Sequence, residues 1–377
     1  MKKAQLKRSS KGTWDFIGNK QVLKEPLILV FGDRKVLEAN PVCKELKEIY
    51  PNGHIVIGSA CGQVSNNALE ENNPIATAIE FEKSTFLIKT SNILDFEEDS
   101  YKAGKELMEQ FPKEGLKHVI IISEGSFVNG SSLTEGIESE NTEKALVTGG
   151  MCGDADRFEK TLVSYNQEAK EGEIVAVGLY GESLEVSFSS SGGWTRFGPQ
   201  RIVTKSKGNV LYELDGKPAL DLYKMYLGDK SKELPSSALL YPLDVLTSEE
   251  EQSIVRSVLG VDEAEKSIIL AGDIKEQSKV HLMMSNVDNL AYASEKAIEL
   301  ANMGRTQKAE MVLFVSCIGR KLVLDQRVEE EMENVKNGVE KDTVLCGFYS
   351  YGEIVPFNGE SKCKLHNQTI TLTLLSE

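Results

Sequence analysis

Short, unbroken apolar runs recur along this chain, each preceded by a stretch whose apolar residues fall at helical spacing. "HVIIIS" (118–123) and "MVLFVS" (311–316) read as strands. Ahead of the first, Tyr101, Leu107, Met108 and Phe111 mark one face of a helix; ahead of the second, Tyr292, Ala297, Ile298 and Ala301 do the same. Each helix in turn follows a short apolar segment ending in Ser-Asn, Phe86 to Asn92 in one case and His281 to Asn286 in the other. Each strand leads through a polar loop and a helix-like stretch to a further strand and a glycine loop, "LVTGGMCGDA" (146–155) and "TVLCGFYSYGEI" (343–354). A third segment shares this plan in part: "LILVFGDRK" (27–35), "NPVCKELKEIY" (40–50) and "HIVIGSACGQV" (54–64). The order predicts an α/β fold of two related sheet-and-helix domains with mixed sheets and an internal duplication. Segments 86–190 and 281–377 are expected to be the related units, with part of the unit used a third time.

The glycine loops 58–62, 150–153 and 347–352 occupy equivalent places in this plan. Ligands gather outside the C-terminal ends of strands in such sheets, and glycine lets backbone come close. The alternative is that the glycines only make turns. The last loop adds Phe348, Tyr349 and Tyr351 with Glu353, a mixture suited to the mouth of a pocket. Between the halves, residues 189–228 begin Ser/Gly-rich and continue as a hairpin leading into a helix. The boundary is expected near residue 205, dividing the chain into 1–205 and 206–377.

Composition narrows the classes. The chain has 377 residues, of which 40% are hydrophobic and 27% charged, enough for two globular domains. A net charge of −15 repels phosphate backbones and argues against nucleic acid as a partner. No apolar run approaches the roughly 20 residues a membrane helix needs. The basic start "MKKAQLKRSS" has no apolar segment behind it, so it is not a secretory signal, and a cytoplasmic location is expected. The six cysteines form no C-x-x-C pair, which argues against zinc and redox motifs. No G-x-S-x-G, H-E-x-x-H or Walker loop is present, and 149–153 lacks dinucleotide-loop spacing.

Several residues are candidates for ligand contact. Arg320 offers a planar fork suited to a carboxylate, the alternative being a pair with the glutamates that follow it. Cys317 reads as a buried thiol, with no histidine near it in sequence. His366 and Asn367 open the last strand in a polar cluster. Trp194 and Arg196 stand where the chain crosses between halves, which suits a domain interface or a ligand lid. The acidic runs 249–251 and 329–331 are expected to be solvated helix faces.

The stretches "GGMCGDADRFEKT", "SGGWTRFGPQRIVTKSKGNVLYELDGKPALDLYKMYLG", "VSCIGRK", "LCGFYSYGEIVPF" and "HNQTITLTLLSE" resemble, in order and across nearly the whole chain, the FIST N and FIST C parts of the FIST family. The resemblance implies a sensory module that binds a small molecule, amino acids being suggested ligands, and signals to a partner. No kinase, cyclase or methyl-accepting segment is attached here, so output is expected through a separate signalling protein such as a kinase, cyclase or chemoreceptor. The family's ligand residues do not transfer onto this chain; Trp194, Arg196, Cys317, Arg320, Tyr349, Tyr351, Glu353, His366 and Asn367 are candidates on chemistry alone. Some members are reported to bind haem and sense nitric oxide. The four histidines here begin or lie inside strands and there is no haem-attachment motif, so haem is not expected and the cofactor is unassigned. A rival reading is an enzyme acting on a small organic acid, with Glu353 and His366 in acid–base roles.

Overall fold

The computed structural model describes every residue except 19, 67, 235 and 248–251, and the side chain of 236. It is an α/β protein with several mixed sheets. The repeat is more extensive than the sequence suggests, because the same four-stranded unit occurs three times. Call its strands a, b, c and d in chain order. Unit I has Lys2–Arg8, Leu27–Gly32, His54–Ser59 and Ile75–Glu80; unit II has Thr85–Asn92, Leu116–Ser123, Leu146–Met151 and Glu173–Tyr180. Unit III has Glu185–Ser191, Met311–Cys317, Val344–Ser350 and Ile370–Ser376. In each sheet the order is a-d-b-c, with b and c parallel and d antiparallel to b.

One expected pairing is corrected by this topology. The counterpart of Phe86–Asn92 is the a strand Glu185–Ser191, which pairs with the last strand of the chain. Lys279–Met284 pairs instead with Thr195–Lys207 and Leu243–Leu246. The two belong to a separate eight-stranded sheet inserted between strand a of unit III and its helix Val287–Asn302. The helix expected around residue 292 is present as Val287–Asn302, but Tyr292 is exposed and lies off the buried face that carries Ala297, Ile298 and Ala301, and the strand ahead of the helix in sequence is not its partner in space. Residue 205 lies inside Thr195–Lys207, the first strand of this inserted sheet.

Each of the three unit sheets is covered on both faces, which explains the unbroken apolar runs of their b strands. The outer faces carry helices: Val42–Ile49 in unit I, Ser100–Glu109 and Gly130–Glu140 in unit II, and Val287–Asn302 with Glu329–Asn337 in unit III. The inner faces meet in one common core that takes Leu29, Ile122 and Leu313 from the three b strands. Phe31 of unit I stacks on Phe348 of unit III with ring centroids 4.3 Å apart.

The glycine loops lie where the units exchange strands. After each c strand the chain leaves its own sheet. Gln63–Val64 pairs with strand c of unit III, Val163–Tyr165 with that of unit I, and Gly352–Pro356 with that of unit II. The tips bond in the same cyclic order: Cys61 N to Tyr349 O at 2.9 Å, Gly153 N to Ser59 O at 3.1 Å, and Tyr351 N to Met151 O at 3.0 Å. Gly153 is required by the crossing, because a Cβ there would overlap the sulfur of Cys61.

That overlap gives a quantitative expectation. Gly153→Ala should lower stability by about 1–3 kcal/mol, the usual cost of overpacking. Cys61→Ala in the same background should restore part of the loss, because it removes the sulfur that the new methyl meets. Denaturant unfolding of the two single variants and the double variant measures this coupling; additive losses would contradict it.

Candidate functional site

The b strands of units II and III end on loops that face the inserted sheet. Between these three bodies lies a cleft of about 540 Å³. The segment Gly125 to Gly130 supplies one wall, Cys317 to Gly319 another, and Ser257, Leu259 and Leu270 to Gly272 the inserted-sheet side. Met151 and Tyr351, from two of the crossing tips, also line it.

The unit II wall is fixed from below by a fully buried carboxylate. Glu124 accepts hydrogen bonds from the amides of Ser126 (2.5 Å), Phe127 (2.8 Å) and Val128 (3.3 Å) and from the Thr161 hydroxyl (2.6 Å). Asn129 then caps helix Gly130–Glu140, its Oδ1 accepting from Ser132 N at 3.1 Å. Its amide nitrogen donates to Asp273 Oδ1 at 2.8 Å, tying unit II to the inserted sheet.

In unit III the corresponding position is Cys317, the residue after Ser316 as Glu124 follows Ser123. Burial, reinforced by nearby Glu353, pushes its thiol up, so at neutral pH the sulfur is protonated and a poor nucleophile. Glu353 is fully buried. It accepts from Ser350 Oγ (2.7 Å), Thr369 Oγ1 (2.8 Å) and Thr369 N (3.2 Å), and burial raises its pKa to about 8.

The candidates from the sequence are thus distributed over three places. Cys317 and Tyr351 line the cleft; the Tyr351 ring stacks on Phe158 at 4.7 Å and its hydroxyl donates to Ala155 O at 3.1 Å. Trp194 and Arg196 line a separate surface hollow of about 530 Å³, where Arg196 Nε meets Asp244 Oδ2 at 2.7 Å. Trp194 nevertheless touches the region behind the cleft, because its indole donates to Gln368 O at 2.9 Å.

The remaining candidates are buried in unit III and its junction with unit II. Arg320 pairs with Glu331 (Nε to Oε1, 2.8 Å) and donates to the carbonyls of Leu290 (2.9 Å) and Gly192. Tyr349 donates to the other Glu331 oxygen at 2.8 Å. The run 329–331 is therefore not wholly a solvated face, since Glu331 is fully buried to neutralise Arg320; the run 249–251 lies outside the described residues. Burial holds the His366 pKa down to about 3, so the ring is neutral, edge-on to Phe357 at 4.8 Å.

His366 Nε2, both amide atoms of Asn367 and Gln368 Oε1 have no protein partner. Gln368 has a positive φ of 61°, and its Nε2 donates to Leu239 O at 3.0 Å. Its side chain passes against Gly319, where a Cβ would overlap it. Leu239 and Gly319 both line the cleft, so Gln368 stands behind that wall.

Residues 126–130 and 257 were not singled out by sequence reasoning. Asn129-Gly-Ser-Ser after an apolar strand is a helix-start signal that could have marked the first group. Ser257 carries no comparable signal.

Comparison with protein families matches residues 26–217 to the FIST N domain and residues 219–356 to the FIST C domain. No curated protein matches the chain. The junction of the two matches falls inside the inserted sheet region, between the hairpin strand Val210–Leu214 and helix Ala219–Leu227.

Glu353 supplies the pH expectation. Its folded pKa lies above the ordinary value of 4.5, so the folded chain keeps a proton that the unfolded chain releases. Stability therefore falls as pH rises from about 4.5 to about 8, by at most about 1.4 kcal/mol per pH unit from this group. Glu353→Gln removes that loss, so its stability relative to wild type should grow across the same window. Parallel pH–stability curves for the two proteins would show that the carboxyl is not held neutral.

Proposed function

The chain belongs to the FIST family, whose domains are small-ligand-binding sensory modules of signal transduction, and on that premise we propose that the cleft between units II and III and the inserted sheet is the ligand site. The observation that carries this reading is the cleft's construction. Its volume of about 540 Å³ falls in the range typical of small-molecule pockets, and it sits at the C-terminal ends of two b strands. Its walls come from segments far apart in sequence, around residues 125–130, 257–272 and 317–319. An occupant touching all three walls favours whichever relative placement of the units fits it best. That differential contact is what a sensor needs to shift its population of states.

The lining mixes apolar Phe127, Met151, Leu259 and Ile318 with the uncharged polar Ser126, Asn129, Ser257 and Tyr351, and its one carboxylate, Glu159, is paired with Arg34. This suits a small amphipathic molecule, an amino acid or similar small acid. Ligand contact falls to Tyr351 and Cys317 from the sequence candidates, with Trp194 acting through Gln368. Catalysis is the weaker reading, because Glu353, the acid with the raised pKa, is enclosed and does not line the cleft. The signal passes to a separate protein in the cytoplasm, such as a kinase, cyclase or chemoreceptor.

The test is mass spectrometry of small molecules released from protein purified under native conditions. Leu259 is 46% exposed and lines the cleft, so Leu259→Trp should fill it without disturbing the core. A released molecule is expected from wild type and should be lost from Leu259→Trp. Retention of the same molecule by a folded Leu259→Trp would place the site elsewhere.

A further inference from the structure

The first turn of helix Gly130–Glu140 opens on the cleft through Gly130. The first amides of a helix have no acceptor within it. Here Asn129 Oδ1 takes only the amide of Ser132, leaving those of Gly130 and Ser131 without a capping side chain. The helix has 11 residues, enough for its aligned peptide dipoles to favour negative charge at this end.

A second observation, independent of the helix, comes from the inserted sheet. Ser257 lines the same cleft and is only 3% exposed, yet its hydroxyl has no hydrogen-bond partner. Leaving a buried hydroxyl without a partner is unfavourable, so it marks a place where a partner fits. Next to it in sequence, Arg256 lies under Gly272, its guanidinium donating to Leu365 O at 2.7 Å and Asp273 O at 3.2 Å and reaching within 3.4 Å of the Ser131 hydroxyl beside the helix end.

The nearby carboxylates have their oxygens occupied by hydrogen bonds, and one of them is paired with a cation. Glu124 is spent on the loop amides and Thr161, Asp273 accepts from Asn129, and Glu159 at the rim pairs with Arg34 at 2.5 Å.

We propose that the N-terminal turn of helix Gly130–Glu140 and the Ser257 hydroxyl together form a carboxylate subsite, which fixes the ligand as a small carboxylic acid and sets its orientation in the cleft. This rests on the cleft being the ligand site. The carboxylate accepts from the first-turn amides and from Ser257 Oγ. The ligand's apolar part then lies toward Phe127, Leu259 and Ile318.

The experiment is calorimetric titration with two sets of probes: the twenty L-amino acids, and the short carboxylates acetate, propionate, butyrate and succinate. Each acid that binds is compared with its own primary amide. At least one acid should bind, and its amide should bind at least tenfold more weakly, because an uncharged amide loses the charge-assisted bonds. Ser257→Ala should weaken the acid about tenfold, the equivalent of about 1.4 kcal/mol. Its unfolding midpoint should not fall, because the hydroxyl it removes has no partner in the free protein. Ser257→Thr, which keeps a hydroxyl, should retain more affinity than Ser257→Ala.

Failure of the subsite is distinguishable from failure of the cleft. If Leu259→Trp abolishes binding while acid and amide bind equally, or while Ser257→Ala binds as wild type does, the cleft stands and the carboxylate subsite is overturned. If a probe binds unchanged to Leu259→Trp, the cleft itself is not the site and both fall. If none of the acids binds, the carboxylate assignment is overturned.

Discussion

Three backbone hydrogen bonds at the centre of the molecule, each from the tip of one repeat unit to the tip of the next, are the constraint on which the rest of the structure depends. They require each c strand to leave its own sheet and add a short strand to a neighbour's. Each junction is reinforced by side chains. Arg34 of unit I meets Asp154 beyond the tip of unit II at 2.8 Å; Lys321 of unit III donates to Cys61 O of unit I at 2.7 Å; Tyr351 reaches Ala155 O beyond the tip of unit II at 3.1 Å. No unit can complete its sheet alone, so the three fold as one body around a shared core. Gly153 serves that crossing, because a Cβ there would overlap Cys61 of unit I, whereas Gly347 serves the pairing of strands b and c within unit III, where a Cβ would overlap the Phe314 carbonyl oxygen.

The same economy governs the buried charges. Glu331 neutralises Arg320, and Tyr349 and Ser316 complete its hydrogen bonds. Breaking such a pair by removing one partner costs about 3–5 kcal/mol, so these residues hold unit III rather than wait for a ligand. Glu124 does the equivalent work for the loop at the cleft's edge. In unit I, Asp33 occupies that position and caps its own helix, Oδ1 accepting from Lys35 N at 2.9 Å. Unit III has a thiol there, so its wall is held by Gln368 and Gly319 instead. The three units thus share a backbone plan, and side chains at one position decide how each strand end is used.

Much of this was legible in the sequence. Apolar runs located every b strand, and the recurring strand–helix–strand order exposed the duplication, because each unit sheet is buried on both faces. The opening strand of unit III was not legible. Its residues, "EVSFSSS", are half-buried at a sheet edge and carry little apolar signal, and the inserted sheet and a helix, residues 192–310, separate them from the next strand of the unit. The site was legible only in part. Glycines and tyrosines drew attention to the right strand ends. Sequence chemistry then favoured Arg320, Glu353 and His366, whose charge or hydrogen-bonding capacity is consumed or sealed inside the fold. Ser257 comes from the inserted sheet, and only the tertiary fold brings it opposite residues 126–130.

The central claim is that a small ligand binds where two repeat units and the inserted sheet converge. Hydrogen–deuterium exchange of the native protein, with its copurified small molecule present and after removal by dialysis, tests this directly. Loss of the molecule should raise exchange together in segments 125–133, 257–272 and 317–324, with little change around 194–196 and 244–255. Increased exchange confined to 194–196 and 244–255, or no change in the three cleft segments, would contradict the account.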